Sequence, residues 1–208
     1  MDRINALMRR LPEPAVWLLG AVPLALLIWG AVFGGLGPDP VKAIEHDLGQ
    51  WALRFLLASL AVTPLRWVGL NLIRHRRALG LLAFSYAVLH LVAWLWLDMG
   101  LRLGQAAGDL VKRPYIIAGM LGLLAMLPLA LTSTRAAIRR MGRNWQRLHR
   151  LAYAALVLGL LHFALLLKVW TPEILIYMAL GGGLLGARAV RSLWPRRPAA
   201  GAPARVAR

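Results

Sequence analysis

The sequence predicts an all-α integral membrane protein, a bundle of six transmembrane helices with both termini in the cytoplasm. Three observations carry this prediction. The 208 residues are 60% hydrophobic, with a mean hydropathy of +0.62. The apolar residues fall in continuous runs of about 20, the length a helix needs to cross a hydrocarbon core roughly 30 Å thick. The basic residues gather in every second connection between those runs. A membrane β-barrel would instead show ten-residue segments of alternating polarity.

The first run, about 15–33, follows Arg9 and Arg10 and resembles a signal peptide in that respect. It is too long for a signal core, and Gly34-Gly35-Leu36-Gly37-Pro38 replaces a small-residue cleavage site, so it reads as a retained helix. The second run, about 50–68, is interrupted by Arg54, which reads either as a partner for a cofactor carboxylate or as a side chain snorkelling to the surface. Before it, Val41 to Gln50 reads as a polar segment lying on the outer membrane surface, with His46 inside it and no role assigned. The third run is about 79–97 and the fourth about 115–132. Thr132-Ser133-Thr134 then caps a short amphipathic helix in an arginine-rich connection. The fifth run is about 151–169. The sixth, about 173–190, contains Gly181-Gly182-Gly183 with Gly186, which reads as close helix packing because no strand precedes it to make a nucleotide loop. Residues 1–14 form a cytoplasmic N-terminus, 15–190 a single membrane domain, and 191–208 a disordered basic cytoplasmic tail rich in proline and alanine.

The formal charge of +17 has a topological meaning. Arg3, Arg9 and Arg10 precede the first span. Arg66, Arg74, Arg76 and Arg77 surround the second connection, six arginines from Arg135 to Arg150 the fourth, and six from Arg188 to Arg208 lie at and beyond the end of the last span. The other connections hold most of the acids: Asp39, Glu45, Asp47, Asp98, Asp109 and Glu173. This is the positive-inside pattern, and it argues against nucleic-acid binding as the origin of the charge. The same pattern reads as a multi-pass membrane protein with its basic side in the cytoplasm.

The sequence contains no cysteine. Disulfides, cysteine-ligated iron–sulfur clusters, thiolate haem ligation and thiol catalysis are therefore excluded, and redox chemistry would need a bound cofactor. Histidine is the ligand available. His75 lies at the entrance of the third span and His90 well toward its outer side, His149 at the entrance of the fifth and His162 toward its outer side, and both spans run in the same direction. At 1.5 Å per residue, His149 and His162 lie about 20 Å apart in depth and His75 and His90 about 22 Å. His90 thus faces His162 at an outer level, and His149 faces the 75–76 region at an inner one. In phase, Arg76 lies roughly 40° from His90 and His75 roughly 60° to the other side. His149 and His162 are about 140° apart on an ideal helix, which a break near His149 would repair. A buried imidazole in a membrane is costly and is a common axial ligand of haem iron. The plain alternative is a non-redox transporter or scaffold in which the histidines are hydrogen-bonded helix contacts; His149 would then be an interfacial cation and His75 part of a solvated basic loop.

Several segments resemble one known family. Gly34 to Lys42, Phe55 to Ala58 with Thr63-Pro64, Lys112-Arg113-Pro114-Tyr115, Leu131 to Thr134 and Trp145 to His149 are similar, in matching order, to the MsrQ (YedZ) family of haem-binding membrane subunits. The resemblance covers roughly residues 15–192. It implies a ferric-reductase-like six-helix domain with one or two b haems, and His90, His149 and His162 as iron ligands. Where the wider ferric-reductase pattern has a fourth histidine, the position 14 residues before His90 is Arg76, with His75 one residue away, so Arg76, His75 or a vacant site is left as the partner at the inner level. The resemblance also implies electrons from the quinone pool, with flavin mononucleotide (FMN) as an intermediate carrier, passing to a periplasmic molybdopterin subunit, MsrP. That subunit reduces methionine sulfoxide in oxidised proteins. No strand–glycine–helix fingerprint for a nicotinamide cofactor is present, so the chain reads as an electron conduit rather than a complete enzyme.

Overall fold

Helix α1, Glu13–Phe33, starts on a proline and ends where Gly34 takes a left-handed conformation (φ 81°) that returns its N–H to the Gly30 carbonyl. The computed structural model describes residues 5, 6, 8 and 10–193, so the basic tail expected from 191 onward falls, beyond Leu193, outside the described residues.

Helix α2 runs from Pro40 to Trp67, 28 residues. The surface segment expected at 41–50 is instead its first three turns. Asp39 explains this start: its carboxylate accepts from the Lys42 N–H at 3.2 Å and pairs with the Lys42 ammonium at 2.7 Å, while Pro40 supplies a preset φ at the first helical position. Hydrogen bonding to Lys42 holds the exposed Asp39 carboxyl below its ordinary pKa. His46 therefore sits on a long spanning helix.

A turn of 3-10 helix, Ile73–His75, leads into α3, Arg76–Ala93, which finishes in a π-helical turn over Trp94–Asp98. An amphipathic helix, α4 (Leu103–Lys112), was not apparent from the sequence and follows at the same end of the bundle. Helix α5 spans Pro114–Leu131. Two short helices, α6 (Arg135–Met141) and α7 (Arg143–Leu148), form the arginine-rich connection, and Thr134 caps α6 through a 3.1 Å bond from Ala137 N–H. Helix α8 is Leu151–Leu166 and α9 is Pro172–Leu193.

Among the described residues there is no strand, and six helical segments are long and apolar enough to cross a membrane. The chain is a multi-pass membrane protein. One core gathers Leu53, Leu57, Leu60 of α2, Leu156, Leu160, Phe163 of α8 and Ile174, Tyr177 of α9. A second joins Leu27 of α1 to Leu48 of α2 and Leu82, Tyr86 of α3. The outward faces stay apolar, as on Leu18 at 72% exposure and Val32 at 68%, which suits lipid contact rather than water.

Cross-connections identify one basic end. Asn5 donates to the Gly69 carbonyl and accepts from Asn71 N–H, joining the N-terminal segment to the second connection. At the same end the Arg191 guanidinium lies 4.5 Å from the Trp67 ring centre. Of the glycines in α9, Gly181 alone makes close packing, against Leu160 of α8.

Candidate functional site

Two imidazoles meet at the end opposite the basic one. His90, on the last turns of α3, and His162, on α8, have ring centres 6.0 Å apart and planes inclined at 75°. His90 Nδ1 lies 2.8 Å from the Glu45 carbonyl of α2, and His162 Nδ1 lies 2.7 Å from the Tyr115 carbonyl of α5. A carbonyl only accepts, so in each neutral ring Nδ1 carries the proton and donates it. Each Nε2 keeps a lone pair and makes no hydrogen bond among the described residues. Fixing the tautomer through Nδ1 to a main-chain carbonyl is how proteins prepare an imidazole as an Nε2 ligand.

The spacing fits a metal between the rings. With metal–nitrogen bonds of about 2.0 Å, two axial imidazoles place their ring centres roughly 6 Å apart. Among the described residues, no three His, Cys, Asp or Glu side chains converge to bind a bare ion. A metal held here must bring its remaining ligands with it, as the iron of a tetrapyrrole does. The residues present therefore fit a haem.

Aromatic and polar groups surround the pair. Tyr115 and His162 are 6.1 Å apart between ring centres, and Phe163, the residue after His162, lies 5.6 Å from His46 with the two planes inclined at 68°. His46 carries no role in the sequence reading, because only the continuous α2 brings it to this level. Glu45 Oε1 is buried with no hydrogen-bond partner among the described residues.

The inner level is arranged differently. His149 sits at the break between α7 and α8, stacked on Trp145 at 3.8 Å. Thr132 gives its hydroxyl hydrogen to the Pro128 carbonyl at 2.6 Å, so its oxygen accepts from His149 Nε2 at 3.2 Å. His149 thus carries its proton on Nε2, the opposite tautomer to the outer pair, and its Nδ1 makes no hydrogen bond among the described residues. Arg76 stands within electrostatic range of His149, and its carbonyl accepts from Ser59 at 3.2 Å. His75 turns elsewhere: it is buried, and its Nε2 lies 3.1 Å from the Met8 carbonyl, tying α3 to the N-terminal segment. The structure brings His90 and His162 together, sets His149 near Arg76, and leaves His75 facing neither.

Arg54 forms its own polar cluster. Its Nε donates to the Tyr177 hydroxyl at 2.7 Å, its Nη2 to Gln50 at 2.7 Å, and Glu173 is 3.4 Å away. It neither snorkels freely nor stands unpaired for a cofactor carboxylate. Arg54 also edges a groove of about 1010 Å³ between α1 and α2, with apolar walls from Leu19, Leu26 and Leu27 and a polar end at His46 and Asp47.

Comparison with known proteins agrees with this architecture. Residues 48–160 match the family model described as ferric reductase like transmembrane component. The chain is similar to the protein-methionine-sulfoxide reductase heme-binding subunit MsrQ of Agrobacterium fabrum, at 50% identity over 90% of this chain and 89% of the relative. It is also similar to the proteins of that name from Brucella anthropi, at 46% over 86% and 83%, and from Rhizobium meliloti, at 44% over 94% and 93%. No solved structure matches.

Proposed function

The chain belongs to the MsrQ family of ferric-reductase-like transmembrane components, and from that premise we propose that it is a haem b subunit carrying electrons through the bacterial inner membrane to a periplasmic methionine sulfoxide reductase. The observation that carries this reading is the facing pair His90 and His162, each with Nδ1 held by a carbonyl and Nε2 left to bind. Haem held by His90 and His162 would supply one-electron chemistry. The protein's part is to hold the ligands in a dry helical interior, where a fixed shell keeps reorganisation small. A second haem at the inner level would take His149 as ligand, with Arg76 beside it in place of a second histidine.

The basic end faces the cytoplasm in this reading, supported by the arginine distribution, and His90 and His162 then lie on the periplasmic side. Electrons leave there to a molybdopterin partner of the MsrP type, which performs the methionine sulfoxide reduction. Membrane quinol is the donor, and the groove between α1 and α2 suits a lipid-soluble hydroxylated ring, with apolar walls and His46, Asp47 and Arg54 at its polar end. FMN as a carrier rests on the family resemblance; Arg76 and Arg188 at the basic end would supply counter-charge for its phosphate.

The test is a reduced-minus-oxidised optical spectrum of the purified protein. We expect a b-type haem signal, and a loss of roughly tenfold or more in bound haem in His90→Ala and in His162→Ala. His149→Ala retains the outer haem. A protein expressed with ample haem that shows no such signal, or single variants with unchanged haem content, would refute the assignment and favour a transporter or scaffold with structural histidines.

A further inference from the structure

We propose that Gly49 and Gly119 are positioning residues that open two matched main-chain cradles and thereby set the planes of the His90 and His162 imidazoles; this rests on the reading that those two rings ligate haem iron. The same device appears twice. His90 bonds the carbonyl of Glu45, four residues before Gly49 on α2. His162 bonds the carbonyl of Tyr115, four residues before Gly119 on α5. In a helix each side chain leans toward the N-terminus and covers the turn before it, so the residue at i+4 lies over the carbonyl at i. Each carbonyl already accepts its own helical N–H and has one lone pair left for a second donor. Only a residue without a side chain leaves that lone pair open to an imidazole arriving from a neighbouring helix.

The clearances show how tight the fit is. A methyl group on Gly119 would lie 2.8 Å from His162 Nδ1 and 3.0 Å from its Cε1. One on Gly49 would lie 3.3 Å from both Nδ1 and Cε1 of His90. The imidazole cannot yield and keep its bond, because the same ring edge that would be struck carries the hydrogen bond. With both rings pinned by separate helices, their 75° inclination is fixed by the packing of α2 against α3 and of α5 against α8. Crossed axial imidazole planes leave the iron orbitals nearly degenerate, and ferric haem in that arrangement gives a highly anisotropic low-spin paramagnetic resonance signal.

The experiment uses the full-length protein in detergent, read by haem content and by electron paramagnetic resonance of the oxidised form. Wild type should give the highly anisotropic low-spin signal. Gly119→Ala should lose most of its bound haem, as His162→Ala does, and imidazole added during reconstitution with haem should restore a low-spin spectrum by taking the place His162 vacates. Gly49→Ala, with more room, should retain haem but shift the resonance as the His90 ring turns. Gly181→Ala is the steric control: its methyl would meet Leu160 at 2.7 Å and Leu156 at 3.6 Å but no imidazole, so it should lower thermal stability and leave the resonance unchanged. If Gly119→Ala does not accumulate, Gly49→Ala decides. Wild-type haem content and resonance in Gly49→Ala, or in both glycine variants, would overturn the proposal while leaving the two-histidine haem intact. Absence of haem from wild type would instead overturn the reading beneath it.

Discussion

Tyr86 shows how much one hydroxyl can do inside this bundle. It is 3% exposed, donates to the Gly20 carbonyl at 2.7 Å and accepts from Leu24 N–H at 3.0 Å. Those two groups would otherwise bond each other along α1, so the hydroxyl from α3 is inserted into the ladder of its neighbour. The insertion lies beside Pro23, which has no N–H of its own to give, and the two together are a recognised cause of a helix bend. Tyr86→Phe should let the ladder close and unfasten α1 from α3, with a loss of about 1 kcal/mol, in the range of polar contacts between membrane helices. Thermal denaturation in detergent would show this as a fall of roughly 2–4 °C; an unchanged midpoint would mean that the hydroxyl adds nothing. Little of this was legible in the sequence. His90 and His162 could be paired from depth alone, because rise per residue is nearly invariant. Tyr86, Gly49 and Gly119 depend on how each helix is rotated about its axis, which one sequence with weak amphipathic contrast leaves open.

The helices themselves were legible to within a turn or two, except where polar residues extend or interrupt them. Helix α2 begins ten residues before its apolar run because Asp39 and Pro40 start it, and the acidic segment then packs Leu48 into the core rather than lying flat. At His149 the chain breaks between α7 and α8, so the roughly 140° phase of one continuous ideal helix does not apply across it. Arg54 clamps α2 to α9 through Tyr177 and Glu173, and its guanidinium also lies 4.8 Å from the Trp51 ring centre. Side chains here are only about one-third exposed, so solvent screening weakens the ion pair, and the bonds to Tyr177 and Gln50 matter more. We therefore expect Arg54→Gln to cost about 1 kcal/mol, and Glu173→Gln less. Unfolding midpoints of the two variants and their combination would test this. Strict additivity would show that the two side chains do not interact.

At the scale of the whole molecule, charge and packing impose one orientation. The N-terminal segment, the second connection and the end of α9 meet at one end through Asn5, Asn71 and the Arg191–Trp67 contact, and the arginines concentrate there. Arginine resists transfer across the bilayer during insertion, so this end should remain in the cytoplasm. The absence of cysteine makes the prediction direct to check, because every introduced thiol is the only one in the protein. Val68→Cys and Arg140→Cys lie at exposed positions of the basic end, and Arg102→Cys and Trp170→Cys at exposed positions of the other. In intact spheroplasts a membrane-impermeant maleimide should label the last two and reach the first two only after lysis. The reverse pattern would place His90 and His162 on the cytoplasmic side. Electrons could not then leave toward a periplasmic partner from that pair, and the proposed direction of flow would fail even if haem binding stood.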